Sequence, residues 1–313
     1  MIIHKIKKYG LIESFYRALH RLVSKLSFSP SYLFRKYIFG YVIREINGVK
    51  MYLDLKNDSG ISKFLMIHGK REPLTVDYLM DSNLLSEGDV VLDIGANIGY
   101  YALLESKLIG ETGEVYAVEP IKNNLNNLKR NIKLNEFKNI KTYNLAMGDK
   151  DNEEVEIYMR SHGNLSSLTS LPSNYGDVVS VERVLMSTVD SFAKKELPHP
   201  PKYIRMDVEG YEGNILEGMQ NTLSSRPCLQ IEFHPTILTN GQKERVCAIL
   251  REKGYDKVVI TANPKPPLSP IIRWLNNKLG TFYHESGDFL EGGIEDLHKW
   301  LFSSPRIFNA FIS

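Results

Sequence analysis

The 313-residue chain has only two cysteines, Cys228 and Cys247, which excludes a disulfide framework and a cysteine-built metal site. Such sparse use suits a reducing compartment. No stretch approaches the roughly 18 apolar residues of a membrane span. The opening MIIHKIKKYGLIESFYRALHRLV lacks the unbroken apolar core of a signal peptide, so a cytoplasmic chain is expected. Repeats and low-complexity tracts are absent. Glycine is also missing where a dinucleotide fingerprint needs it: in VLDIGANIGYY the three offsets hold Gly95, Asn97 and Tyr100. This disfavours a nicotinamide-dependent oxidoreductase. No Gly-Lys-Ser/Thr loop for a triphosphate occurs either.

What is present is an ordinary globular composition, 42% hydrophobic and 24% charged, long enough for one full core with extensions. The net charge of +2 is unevenly spread: residues 1–50 carry ten Lys/Arg against Glu13 and Glu45, a surplus of +8 that leaves −6 elsewhere. Leu11, Phe15, Leu19, Leu22 and Leu26 recur at helical spacing, with Arg17, Arg21 and Lys25 largely off that stripe. Two placements suit this basic amphipathic helix: the chain's own body, or an anionic membrane reached through residues 1–28.

Residues 1–40 are thus expected to form a basic helical segment. YVIREINGVKMYLDL reads as a hairpin about Asn47-Gly48, and Pro73 opens a helix. From Val90, buried strands alternate with helices: VVLDI, EVYAVE, KTYNLA, KYIRMDV, CLQIEF and KVVI, with EVEIYM and VVSVERVLM as inserted strands. A single helix is expected over 212–223. Such alternation predicts an open, mostly parallel α/β sheet with helices on both faces over residues 41–262. NPKPPLSP begins a stiff connector, and two amphipathic patterns after it predict a helical C-terminal extension over 263–313.

In an open parallel sheet, ligands bind beyond the carboxyl ends of the strands. Gly95 and Gly99 allow a tight strand-to-helix turn whose N–H groups, around Ala96 and Asn97, face a ligand. With Asp93 ahead of them, the loop suits a small zwitterion: N–H groups for its carboxylate, Asp93 near its ammonium. Glu119, followed by Pro120, ends the second strand where a carboxylate can accept from both hydroxyls of a ribose. Ala146 and Met147 end the third and would border an adenine. Tyr100 borders the same pocket, while Tyr101 belongs to the core.

These residues match class I S-adenosylmethionine-dependent methyltransferases. More narrowly, the chain resembles the FkbM family from about Glu72-Pro73 to His234. GDVVLDIGANIGYYALL, VYAVEP, STVD, MDVEGYEGNILEGM and QIEFH carry the resemblance. Arg205 departs from the lysine expected there. The resemblance implies a Rossmann-like class I methyltransferase fold, S-adenosyl-L-methionine as cofactor, and O-methylation of a hydroxyl on a sugar, glycolipid or natural-product acceptor. A module that keeps the donor site without catalysis is the alternative.

On that reading Asp207 ends the fourth strand facing the donor, and Glu209, Glu212, Glu232 and His234 gather on the same rim. His234, neutral near pH 7, is the expected base, with Asp207 or Glu209 serving in its place or orienting it. Bland roles stand beside these: Glu212 as a helix-start charge, Glu232 as a partner of Arg205, His234 as a loop residue. No metal is required, although the same acids with His234 could gather Mg²⁺. Asn164, Ser166 and Ser167, in the inserted segment, are candidate acceptor contacts. The acidic rim argues against nucleic acid as a partner.

Overall fold

The computed structural model describes residues 35–57, 60–160, 177–262 and 288–313, together with the backbone of Ser166 and Ser167. The basic stripe of residues 1–28, Asn164 and the proline-rich connector lie outside the described residues. Among those described, no helix is long and apolar enough to cross a membrane.

The chain divides into two units. The first comprises residues 1–42, 53–69 and 266–284, the second residues 43–52, 70–265 and 285–313. In the first, a helical turn at residues 35–38 is followed by Gly40, whose carbonyl accepts from Leu55 N–H at 2.8 Å. Further on, α1 (Ile61–His68) closes at the left-handed Gly69, which satisfies the Leu65 carbonyl.

The hairpin β1 (Tyr41–Ile46) and β2 (Val49–Asp54) turns at Asn47-Gly48, with φ of +52° and +75°. These are the angles that an Asn-Gly turn supplies. Two asparagines of a later helix, α4 (Lys122–Leu134), and its C-cap extend the pairing of β2. Asn131 Oδ1 accepts from Tyr52 N–H at 2.6 Å, and Asn135 Oδ1 accepts from Lys50 N–H at 2.8 Å. Side chains four residues apart thus meet alternate strand residues.

From α2 (Pro73–Asp81) onward the expected alternation is present. In chain order come β3 (Val90–Ile94), α3 (Tyr100–Leu108), β4 (Glu114–Val118), α4, β5 (Ile140–Tyr143), β6 (Ala146–Gly148) and β7 (Glu153–Arg160). Then follow β8 (Ser166–Ser167), β9 (Val178–Thr188), α5 (Val189–Glu196), β10 (Tyr203–Met206), α6 (Glu212–Glu217), α7 (Gln220–Leu223) and β11 (Cys228–Phe233). The chain ends with α8 (Asn240–Glu252), β12 (Val258–Ala262), β13 (Asp288–Gly292), α9 (Ile294–Ser303) and β14 (Phe308–Ile312).

The central sheet runs β13-β12-β14-β11-β10-β3-β4-β5. Strands β5, β4, β3, β10 and β11 pair in parallel, whereas β14 is antiparallel to both β11 and β12. Successive strands step outward one way from β3 through β4 to β5, then the other way from β10 to β11. The winding therefore reverses between β3 and β10, where a crevice opens at their carboxyl ends. This is the Rossmann-like class I methyltransferase fold.

Three expectations need correction. Residues 141–146 are not one strand: β5 stays in the central sheet, while β6 joins β9, β7 and β8 in a second sheet. The helix over 212–223 breaks into α6 and α7 at Gly218, where a Cβ would stand 1.9 Å from the Gly148 carbonyl oxygen. Nor is the described part of 263–313 a helical extension, because β13 and β14 complete the central sheet and only α9 is helical. FNAFI of β14 is wholly buried between β11 and β12, which accounts for its run of apolar and small residues.

Candidate active site

Gly95 follows β3 with φ of +82°, and a Cβ there would stand 2.0 Å from the Asp207 carbonyl oxygen. Only glycine lets the ends of β3 and β10 approach this closely. Above them lies a cavity with about 750 Å³ of empty space, part of it open to solvent. Gly95, Asn97, Glu119, Pro120, Ala146, Met147, Asp207 and Glu209 all line it, as the sequence leads one to expect. Leu145, Ile157 and Ile121 add apolar wall, and Arg71 adds a cation.

The loop itself behaves differently from expectation. Gly95 and Ala96 N–H both donate to the Val118 carbonyl, at 2.9 and 3.0 Å, and Gly99 N–H donates to Ala96 O. Asn97, at φ +52°, donates its N–H to Glu119 Oε2 at 2.8 Å, and its own Oδ1 accepts from Ile98 N–H. Every N–H from residue 95 to 99 is thus committed inside the protein.

Glu119 also accepts from Ile121 N–H at 2.9 Å and Asn124 Nδ2 at 3.3 Å. Burial nonetheless pushes its carboxyl up to about 7, against the pull of those donors. A carboxylate has about four acceptor positions, so one remains after these three.

Asp93 is not beside the cavity. It is fully buried, paired at 3.1 Å with Arg205 Nη1, while Arg205 Nη2 holds Asp207 at 3.0 Å. Arg205, expected to hold Glu232, bridges the two aspartates instead. Burial opposes the ionised form of Asp207, yet Arg205 and then Arg71 outweigh it and hold that carboxyl below its ordinary range. Tyr100 points elsewhere too: its hydroxyl accepts from Arg71 N–H at 3.0 Å and donates to Arg71 O at 2.8 Å. Tyr101 is buried as expected, with Arg205 stacked 4.0 Å from its ring centre and its hydroxyl donating to Glu72 Oε2.

His234 lies 3.0 Å from Glu209 through Nε2 and 3.6 Å from Glu212 through Nδ1. Burial works against its charge, but Glu209, Glu212 and Glu232 together raise its pKa well above the ordinary imidazole value. That direction favours the imidazolium over the neutral base expected from sequence. Glu209 is shifted upward, first by burial and then by Asp207 and Glu212, with His234 and Arg71 opposing. Its backbone is left-handed at φ +54°, an uncommon state for a non-glycine residue and one that concentrates at functional sites.

Glu212 and Glu232 are buried supports, not rim residues. Glu212 Oε1 accepts from Gly210 N–H at 3.0 Å, and Glu232 pairs with Arg71 at 3.3 Å. Ser166 and Ser167 pair with Met159 and Tyr158 in a strand. Ligand atoms of Asp207, Glu232 and His234 lie within 4.8 Å of one another, a cluster whose charge Arg71 and the imidazolium already offset. Sequence reasoning missed Arg71. It also assigned Arg205 to Glu232 and not to the two aspartates, although Asp93, Arg205 and Glu232 interrupt apolar strands at positions of matching parity.

The cavity suits S-adenosylmethionine by its chemistry: an acceptor at Glu119 beside apolar walls, and charges of both signs near Asp207. Residues 93–257, just over half of the chain, match the family described as the methyltransferase FkbM domain. A protein-L-isoaspartate O-methyltransferase of Methanosarcina mazei is 45% identical over 56 residues, 18% of this chain and 23% of that protein. Another, of Methanothrix thermoacetophila, is 32% identical over 77 residues, 25% of this chain and 35% of that protein. The chain thus spans about a quarter to a third of the length of these curated relatives.

Among solved structures, methyltransferase FkbM of Methylobacillus flagellatus aligns with a TM-score of 0.38 at 19% identity, covering 55% of this chain and 40% of that one. An S-adenosylmethionine-dependent O-methyltransferase of Thermotoga maritima aligns with a TM-score of 0.42 at 11% identity, covering 80% and 69%. With more than half of its length matched, the chain belongs to the FkbM family of S-adenosylmethionine-dependent methyltransferases.

Proposed function

We propose that this chain transfers a methyl group from S-adenosylmethionine to an oxygen of a hydroxylated acceptor: a sugar, a glycolipid or a natural product. The observation that carries this reading is the cavity at the reversal of strand order, lined by Gly95, Glu119, Asp207 and Glu209. When bound, the donor supplies a methyl group on a positively charged sulfur. Glu119 offers its remaining acceptor position to a ribose hydroxyl, and Leu145, Ala146, Met147 and Ile157 form the apolar surface for a base.

An alcohol needs to lose its proton as the new bond forms. Asp207, held strongly acidic by Arg205 and Arg71, is a weak proton acceptor and a good fixed anion. Glu209 is better suited, because its raised pKa places it nearer neutral pH and it lines the cavity. A placed base contributes about 10²–10⁴-fold. His234, 3.0 Å from Glu209, is its nearest cationic partner. A negatively charged rim also favours a neutral hydroxyl over a carboxylate acceptor.

Calorimetry on the full chain, with S-adenosylmethionine and NAD as ligands, tests the donor assignment. Binding of the first alone is expected, and binding of NAD alone would overturn it. Transfer of a tritiated methyl group into a cell extract tests turnover, and absence of incorporation despite donor binding would favour a non-catalytic module. The basic stripe of residues 1–28 supports a lipid-linked acceptor at an anionic membrane. Flotation with anionic vesicles should fall when those residues are removed; equal flotation would defeat that part.

A further inference from the structure

We propose that Arg71 anchors the carboxylate of the donor's amino-acid tail, an inference that rests on the methyl-donor reading above. The N–H groups of residues 95–99 are all spent on internal acceptors, so the glycine loop offers that carboxylate nothing. Apart from Arg71, the charged residues lining the cavity are Glu119, Asp207 and Glu209, all acidic. These suit the ammonium and the ribose, but they repel an anion. Among the described charged residues that line the cavity, Arg71 is therefore the one that attracts the negative end of a zwitterionic tail.

Arg71 is built for such a contact. Its main chain is clamped on both sides by the Tyr100 hydroxyl, so the side chain starts from a fixed point. Its Nε meets Glu72 and its Nη2 meets Glu232 at 3.3 Å, contacts in which Nη1 takes no part. The Arg71 side chain is 30% exposed, in contrast to Arg205 at 4%, and it lines the cavity where a ligand can reach it. Burial works against its charge, yet Glu72, Glu232 and Asp207 together keep it a cation.

Position along the sheet agrees. Glu119 follows β4, and Glu232, the partner of Arg71, lies on β11, three strand steps away and therefore about 14 Å across the sheet. Ribose and carboxylate, which lie on either side of the sulfonium, are thus held apart along one elongated ligand. Guanidinium and carboxylate also match in planar geometry, which lysine does not reproduce.

The test is calorimetric titration of the full chain with S-adenosylmethionine and with its decarboxylated form, which keeps the sulfonium, ribose, adenine and ammonium. Wild type is expected to prefer the carboxylated ligand by about 10- to 100-fold, the range of a charge-assisted hydrogen-bonded contact. Arg71→Met should abolish that preference while leaving affinity for the decarboxylated ligand within about threefold, which also shows that the variant is folded. Arg71→Lys should retain part of the preference. A variant that keeps the wild-type preference, or that weakens both ligands equally, would overturn the assignment of Arg71 and leave the donor reading standing. Wild type binding neither ligand would overturn both.

Discussion

The two faces of the central sheet are made by the same strands in opposite ways. On one face Leu92, Ile94, Ile204, Met206, Leu229 and Ile231 are buried in a continuous apolar core. On the other, the intervening positions place Asp93 in register with Arg205, and Arg205 with Gln230. Glu232 lies opposite Asn309, and Gln230 Nε2 donates to Asn309 Oδ1 at 3.1 Å. Both faces are buried, yet they do different work. Each apolar side chain is worth about 1.5–3 kcal/mol on burial wherever it fits. Each buried charge is tolerable only with its partner, so the polar face trades adaptability for fixed geometry. Its ordered end is where Arg71, Asp207 and Glu209 reach the cavity.

The sharpest way to break the contrast is Arg205→Met, which strips the shared cation from Asp93 and Asp207. A loss of about 3–5 kcal/mol in chemical denaturation is expected, as for other broken buried ion pairs. Adding Asp93→Leu should restore part of it; strict additivity of the two losses would refute the pairing.

Glu209→Gln tests the catalytic end of the polar face. Turnover should fall by about 10²–10⁴-fold with donor affinity nearly unchanged. The sign of the pH effect follows from the shift. Glu209 accepts a proton only when ionised, and its pKa is raised, so wild-type kcat/KM should decline on acidification from above the ordinary carboxylate range. Wild-type rates that stay flat down to pH 5 would exclude Glu209 as the base.

On the apolar face, Leu229→Ala should cost about 2–5 kcal/mol of stability. It should leave the donor affinity of the folded fraction intact; a matching loss of affinity would erase the division of labour between the faces. The smallest effect concerns Glu119. Its pKa of about 7 implies weaker donor binding at pH 6 than at pH 8, by about fivefold if a charged acceptor becomes neutral. Glu119→Gln should flatten that dependence in calorimetry.

Much of the fold was legible because strands such as VVLDI and CLQIEF are short apolar runs separated by helical periods. The cavity end of the sheet was legible in Gly95 and Glu119, whose spacing reflects a turn and a strand tip. Less visible was β14: FNAFI is a strand of five residues at the end of the chain, and nothing local says that it inserts between β11 and β12. His234 was misjudged in charge because its acidic neighbours come from α6, β11 and the loop after β10. Arg71 was missed because a lone arginine before a proline-initiated helix has no distinguishing local pattern.

The sequence by itself determined most of the alternation of strands and helices between β3 and β12, the glycine at the crossing of β3 and β10, and the carboxylate at the tip of β4. Those depend on backbone sterics and on spacing along the chain. Only the tertiary structure decided which charges meet. Arg205 lies 112 residues from Asp93, and Arg71 lies 161 from Glu232. The protonation of His234, the sealing of Asp93 and the exposure of Arg71 all follow from such pairings, because electrostatic energy depends on distance and burial in space.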